Sequence, residues 1–467
     1  MGTVSLAAII LTLFHFSIGT KAQTPSDRKP AEGQLANVPA GQSQEPTKTP
    51  SPDPLKNPWS WLTLGADFRF RWEYQFDTFT LNRTLPEHEY SYQRYRLRLW
   101  TKVHPIKQLD FNFRLTSEPR TYLKPDRLGG GMSDDFIFDS FDMVWRDVAR
   151  RPMTLTVGRQ EIMLGNGWLV LEGTPLDGSR TIFFDAARLT YALKSGKTTV
   201  ELIGISQGAS SSRWIHPLND QHKSLLEQNE NGAILYVTNK SFPKTQIDGY
   251  FIFKHDMKVL ARGDNADIYA FGARVEGDLS DHWKYRTEFA PELGNKNGQD
   301  LRAFGANNRV SYFWKNRTNQ NVRLGYEFLS GDDPNTKGTD EGYDPLWGRW
   351  PQWSELLLYN FSTETRVAYW TNLQRIDFGW SCNPTNRMEV NADFMPLLAA
   401  NNPLQDKPGF SPNGKFRGHF ASVLMRYKYS EHFSGHLLGE FFFPGDYYTS
   451  LKQDPAAFLR VELIAAW

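Results

Sequence analysis

Arg94, Arg96 and Arg98 occupy alternate positions of one short segment, with Tyr95, Leu97 and Leu99 interleaved and no carboxylate anywhere between 90 and 103. Alternate residues of an extended chain share a face, so three charges point one way. A guanidinium is planar, stays ionised at physiological pH and can grip a carboxylate through two parallel hydrogen bonds. A row of them lining a confined passage selects anions. The plainer use of such a row is to pair with carboxylates on adjacent strands and tie a sheet together.

The same placement recurs along the chain. Arg69, Arg71, Arg114, Arg188, Arg274, Arg286, Arg309, Arg323, Arg375, Arg387 and Arg460 fall on the charged side of segments whose other side is apolar. Asp67, Glu73, Glu118, Glu276, Glu288, Glu327, Asp377, Glu440 and Glu462 accompany them. A passage built from these side chains carries both signs of charge.

Groupings suited to catalysis are sparse. Paired carboxylates such as Asp134 and Asp135 can activate water, but following Gly129, Gly130 and Gly131 they read as a solvated turn. His436 and Glu440 share a face with Leu438 between them and lack a nucleophile. The motifs of serine hydrolases, zinc proteases and nucleotide-binding loops do not occur in the sequence, so an enzyme stands only as an alternative reading. The single cysteine, Cys382, rules out an internal disulfide and a Cys-rich metal site, and reads as structural. No cofactor and no metal is implied.

The elements that must carry these arginines are strands. In 62–76, Leu64, Ala66, Phe68, Phe70, Trp72 and Tyr74 share one face, while Asp67, Arg69, Arg71, Glu73 and Gln75 share the other. Eighteen segments of this kind are legible, among them 90–103, 153–160, 180–193, 232–240, 368–382, 387–395, 417–429 and 458–467. An even number closes an antiparallel barrel with both termini on one side. Short connections (383–386, 430–432) alternating with long ones (207–231, 330–367) fit tight turns at one rim and loops at the other. The chain ends on Trp467 after an alternating apolar run, resembling the terminal aromatic of outer-membrane barrels, where Phe is usual.

Composition supports that architecture. Aromatic residues make up 14% of 467 residues although mean hydropathy is −0.54, a mix expected when lipid-facing and lumen-facing side chains alternate and aromatic girdles ring both rims. A soluble sandwich or propeller also alternates, but its polar face mixes Lys, Thr and Ser; here Arg with Asp or Glu dominates. With 53 basic against 52 acidic residues, a nucleic-acid surface is unsupported. Residues 4–18 form an apolar run before Thr20-Lys21-Ala22, which predicts a signal peptide over 1–22. Residues 23–58, rich in Pro, Ser and Gln, predict a disordered periplasmic leader, and 59–467 the barrel. No other apolar run approaches the roughly 20 residues of a spanning helix.

The chain also resembles the alginate export porins. The resemblance lies in Gly158-Arg159-Gln160, then Gly165, then Arg180-Thr181 with Asp185 and Arg188; it continues in Tyr326-Glu327-Phe328, Ser330-Gly331-Asp332 and Asp344-Pro345-Leu346. It implies a monomeric outer-membrane barrel of about 18 strands, all-β and antiparallel, with an arginine-rich lumen that passes an anionic polysaccharide. It further implies that Arg159, Arg180, Asp185 and Arg188 line the constriction. Strict alternation puts Arg159 with Leu155 and Val157, and Arg188 with Phe184, so a bulge or strand end must intervene; otherwise the Arg and Asp fix strand register. Expected partners are an anionic polysaccharide or other anionic solute, outer-membrane lipid and periplasmic export proteins. A general or anion-selective porin is the rival function.

Overall fold

The computed structural model describes residues 55–86, 88–128, 130–131, 134–172, 183–193, 196–219 and 223–467. The expected signal peptide, the leader up to residue 54, and Arg180 with Thr181 lie outside the described residues.

Eighteen antiparallel strands close into one barrel. The first six are β1 (Leu62–Phe76), β2 (Glu89–Ile106), β3 (Leu109–Ser117), β4 (Ile137–Arg146), β5 (Met153–Gln160) and β6 (Phe184–Ala192). Next come β7 (Thr198–Gln207), β8 (Gln228–Asn239), β9 (Thr245–Lys258), β10 (Ala266–Asp278), β11 (Trp283–Lys296) and β12 (Gln299–Phe313). The last are β13 (Asn321–Leu329), β14 (Leu373–Thr385), β15 (Met388–Leu398), β16 (Phe416–Lys428), β17 (Phe433–Pro444) and β18 (Ala456–Ala466). Each pairs with its sequence neighbours, and β18 returns to β1, Asp67 opposite Ala466 through Phe76 opposite Ala457. Closure leaves no open edge, so every backbone polar group of the wall finds a partner without water.

Alternation fixes which side faces lipid. Along β1 the charged Asp67, Arg69, Arg71 and Glu73 are buried, whereas Phe68 is 46% exposed. This inverts a soluble core. Leu97, Leu202, Phe271, Phe289, Phe378, Leu437 and Leu463 are likewise exposed on their strands. Burying such a side chain among acyl chains contributes roughly 1.5–3 kcal/mol each. No helix among the described residues is long and apolar enough to cross a membrane.

Eight short turns lie at the rim that holds both strand ends of the chain, from the two residues 107–108 to the seven of 314–320. Trp59 stacks on Trp61 there, and Trp283 and Trp314 both edge onto Tyr312, forming part of an aromatic girdle. Nine connections emerge at the other rim. The longest, 330–372, carries the only α-helix among the described residues, α1 (Leu356–Glu364), and turns into the barrel.

Several strands run a few residues beyond their sequence pattern, such as β2 to Ile106, and two strand starts differ in ways that shape the interior. β14 begins at Leu373 instead of 368, because Ala368 and Asn372 adopt positive φ (57° and 55°) and keep 368–372 in the inward loop. β8 begins at Gln228, four residues earlier than its alternation, and brings Glu230 into the barrel interior. Cys382 is a free, buried thiol in β14.

Candidate functional site

The inner wall formed by β18, β1 and β2 carries a continuous ionic mesh. Arg460 donates to Glu73 at 2.7 Å, and Arg94 donates to Glu73 at 3.1 Å and reaches Glu118 at 2.9 Å. Arg69 meets Glu118 at 2.8 Å, Arg71 pairs with Glu462, and Arg96 and Arg98 share Asp67 at 3.2 and 2.6 Å. The run of three arginines therefore finds its carboxylates on β1 and in the segment that follows β3. With Arg120, opposite Arg94 in register, this wall holds seven guanidiniums against Asp67, Glu73, Glu118 and Glu462.

A second cluster sits on β12 to β15. Asp377 lies 3.6, 3.3 and 3.6 Å from Arg309, Arg323 and Arg375. Arg375 also meets Glu327 at 2.8 Å, and Arg323 pairs with Asp393. Arg286 donates to Asn307 at 3.2 Å, while Arg274 bridges Asp248 and Glu276. Here carboxylates and guanidiniums balance. Arg309 is more open than Arg323, Arg375 or Arg274, its side chain 28% exposed.

Other expected residues are placed differently. Arg114 holds Asp139 at 2.7 Å and Glu161 at 2.5 Å, and Arg188 holds Glu201 at 2.7 Å. Phe184, which shares the parity of Arg188, is itself inward and packs on Trp347. Arg159 and Asp185 face each other in register, form a forked pair at 2.9 and 3.1 Å, and are buried despite sharing parity with the exposed Val157. The strand departs from ideal geometry beside them: Gly158 has φ +122°, and the Phe141 carbonyl leaves no room there for a Cβ. Arg387 is exposed in the turn 386–387, because the hairpin closes between Thr385 and Met388.

Asp134 and Asp135 are not solvated. Both are buried: Asp134 accepts the Glu118 amide at 2.6 Å and pairs with Lys223, and Asp135 accepts the Ser211 hydroxyl. Burial, and then Arg120, pushes Lys223 down to about 8. His436 faces Glu462 at 3.1 Å.

The inward loop is the feature that alternation could not reveal. Trp347 and Arg349 both donate to Glu230 of β8; Asp344 meets Lys254 of β9 at 3.1 Å, and its amide donates to Glu292 of β11 at 2.8 Å. Ser354 and the amides of Glu355 and Leu356 converge on the Glu440 carboxylate of β17, which caps α1. Glu355 reaches Arg460 at 3.0 Å, and the Tyr359 hydroxyl lies 3.0 Å from that of Tyr92 on β2. The connection 161–183 joins it through a bridge between Val170 and Trp347, and Trp168 donates to Glu327 at 2.8 Å. Together they form a plug anchored on walls all around the barrel. A signal for it exists in the sequence: four tryptophans and Leu356-Leu357-Leu358 between 347 and 370 are too apolar for a solvated loop. Among the described residues, no cluster of His, Cys, Asp or Glu is arranged to hold a metal.

A family model described as alginate export matches residues 60–458. Solved structures share the fold, and they are outer-membrane porins. OccK9 (OpdG) of Pseudomonas aeruginosa is 9% identical, with a TM-score of 0.55 over 87% of this chain and 98% of that one. OccAB4 of Acinetobacter baumannii is 11% identical, with a TM-score of 0.53 over 88% and 100%. OccK11 (OpdR) of P. aeruginosa is 12% identical, with a TM-score of 0.51 over 86% and 95%. No curated protein sequence matches the chain.

Proposed function

Because the chain belongs to the alginate export family and forms an outer-membrane channel, we propose that its lumen conducts an anionic polysaccharide of the uronate class. The observation that carries this reading is the ionic mesh on β18, β1, β2 and the segment after β3, where guanidiniums outnumber carboxylates seven to five once Glu355 of the plug is included. In a confined aqueous path that excess favours anions and offers planar partners to successive carboxylates. Arg98, its side chain 17% exposed, offers the anion a direct contact, and the buried Arg69, Arg71, Arg94, Arg96 and Arg460 behind it set the sign of the field, with the plug narrowing the path against them. Arg309 and Arg323, on the balanced wall, give a polyanion fewer net attractions.

Planar-bilayer recording tests the reading. A uronate oligomer is expected to block conductance at submillimolar concentration. Absence of block together with free passage of small anions makes the protein a general anion pore.

A further inference from the structure

The net charge of +1 conceals a strong axial separation. The eight short turns hold ten Lys and Arg against three carboxylates, whereas the nine connections that leave the opposite rim, two of which fold into the barrel, hold 14 against 22, with Asp77, Glu118, Asp134, Asp135, Glu227 and Asp344 buried. Nine of the ten turn cations are described, and all nine are exposed. Lys107, Arg150, Arg151, Lys240, Lys315 and Arg317 engage no carboxylate among the described residues; Lys244 lies 3.6 Å from Asp281. Six of the eight turns carry these cations, and the other two, 279–282 and 429–432, hold only Asp281 and Glu431, so the charge forms an interrupted ring. On β2 two further cations follow on the lumen face, Lys102, which lies 3.4 Å from Asp110, and Arg98, each pair of positions advancing about 7 Å along the strand. Cations therefore run from the rim up to the mesh beneath the plug.

We propose that this ring is a docking surface for an anionic chain, which captures it on the short-turn side before it enters the pore, while the acidic loops disfavour approach from the other side. In an outer-membrane barrel the short turns face the periplasm. The inference rests on the proposed uronate function and adds a side to it. Fields of one sign at a mouth raise the association rate of an oppositely charged ligand about tenfold or more, and salt removes the gain.

The test uses the full chain inserted in one orientation into phosphatidylcholine bilayers, which carry no net charge. A uronate oligomer of defined length is added to one chamber at a time, with a neutral glucan oligomer as control. The expected result is a block on-rate about tenfold higher from the short-turn side at low salt, converging with the loop-side rate at high salt. Neutralising Lys107, Arg150, Arg151, Lys240, Lys315 and Arg317 to Gln is expected to abolish that asymmetry, with heat-modifiable gel migration reporting that the variant folds. Should the variant fold poorly, the side and salt dependence of the natural protein still decides. Equal on-rates from the two chambers overturn the inference alone. Absence of block from both chambers overturns the proposed function and this inference with it. An asymmetry that survives the Gln variant also overturns it and assigns these cations to lipid phosphates instead.

Discussion

Trp347 donates its indole N–H to Glu230 at 3.0 Å, and Arg349 reaches the same carboxylate oxygen, so one acid on the barrel wall anchors two fully buried side chains of the plug. Removing one member of a buried, charge-assisted cluster costs about 3–5 kcal/mol, because the remaining charge stays out of water. Glu230→Ala is therefore expected to loosen the plug and not the barrel. Single-channel conductance should rise and become noisy while heat-modifiable migration is retained; an unchanged, quiet trace would show that the plug is held elsewhere.

Asp377 faces three guanidiniums, is the carboxylate that restrains Arg309, and shares Arg323 with Asp393. Asp377→Asn leaves the shape and removes one negative charge. A unit charge about 5 Å from a passing ion in water is worth about 0.8 kcal/mol, roughly fourfold in local ion concentration. Reversal potentials in a salt gradient should shift toward chloride by that order. An unchanged reversal potential would mean that these side chains do not face the conducting path.

Arg96 and Arg98 share Asp67, so Asp67 keeps Arg98 as a partner when Arg96 is reversed, while the buried new carboxylate lowers the stability of the wall by about 3–5 kcal/mol. Arg96→Glu exchanges an attraction for a repulsion on the cation-rich side. The expected outcome is loss of anion preference with the strand register intact. Selectivity equal to the parent protein would remove this wall from the proposed path.

The strands were legible because period two is a backbone property that lipid and water enforce on every residue: Phe68 and Leu97 outward, Arg69 and Arg96 inward. Ion partners were not legible. Arg94 meets Glu118 only because β2 lies beside β3 in a closed sheet, and such pairing depends on register that no local pattern specifies. The plug was hidden for a related reason. Lys254 and Glu292 look like ordinary lumen charges until Asp344 arrives from a loop some 50 to 90 positions away. Arg159 shows the limit of alternation itself, since Gly158 breaks the parity that would have put it in lipid.

Within that loop, burial first and Asp340 next raise the Asp332 carboxyl to about 6. A folded value above the unfolded one of about 3.9 means the packed loop favours the protonated form. Its stabilising contribution is complete below about pH 4 and is lost as pH rises through about 6. Amide exchange in 330–342 should therefore be slower at pH 5 than at pH 7, and Asp332→Asn should flatten the dependence. A rate independent of pH after correction for intrinsic exchange would contradict it.

Phe271 lies near the middle of β10, 48% exposed, with its ring 5.1 Å from Phe251; Leu279 follows the end of that strand and is 66% exposed. In a soluble protein, arginine at either exposed site costs little, and the more exposed site costs less. In a bilayer the cost follows depth: about 2–4 kcal/mol at the midplane and about 0–1 kcal/mol at the interface. Denaturant titration of Phe271→Arg and Leu279→Arg in liposomes separates the two environments. A large penalty at Phe271 beside a small one at Leu279 follows from an outward face in lipid, because only there does the water lost by the guanidinium depend on position along the strand. Two small, equal penalties would place both side chains in water and remove the basis for reading the inner arginines as a pore.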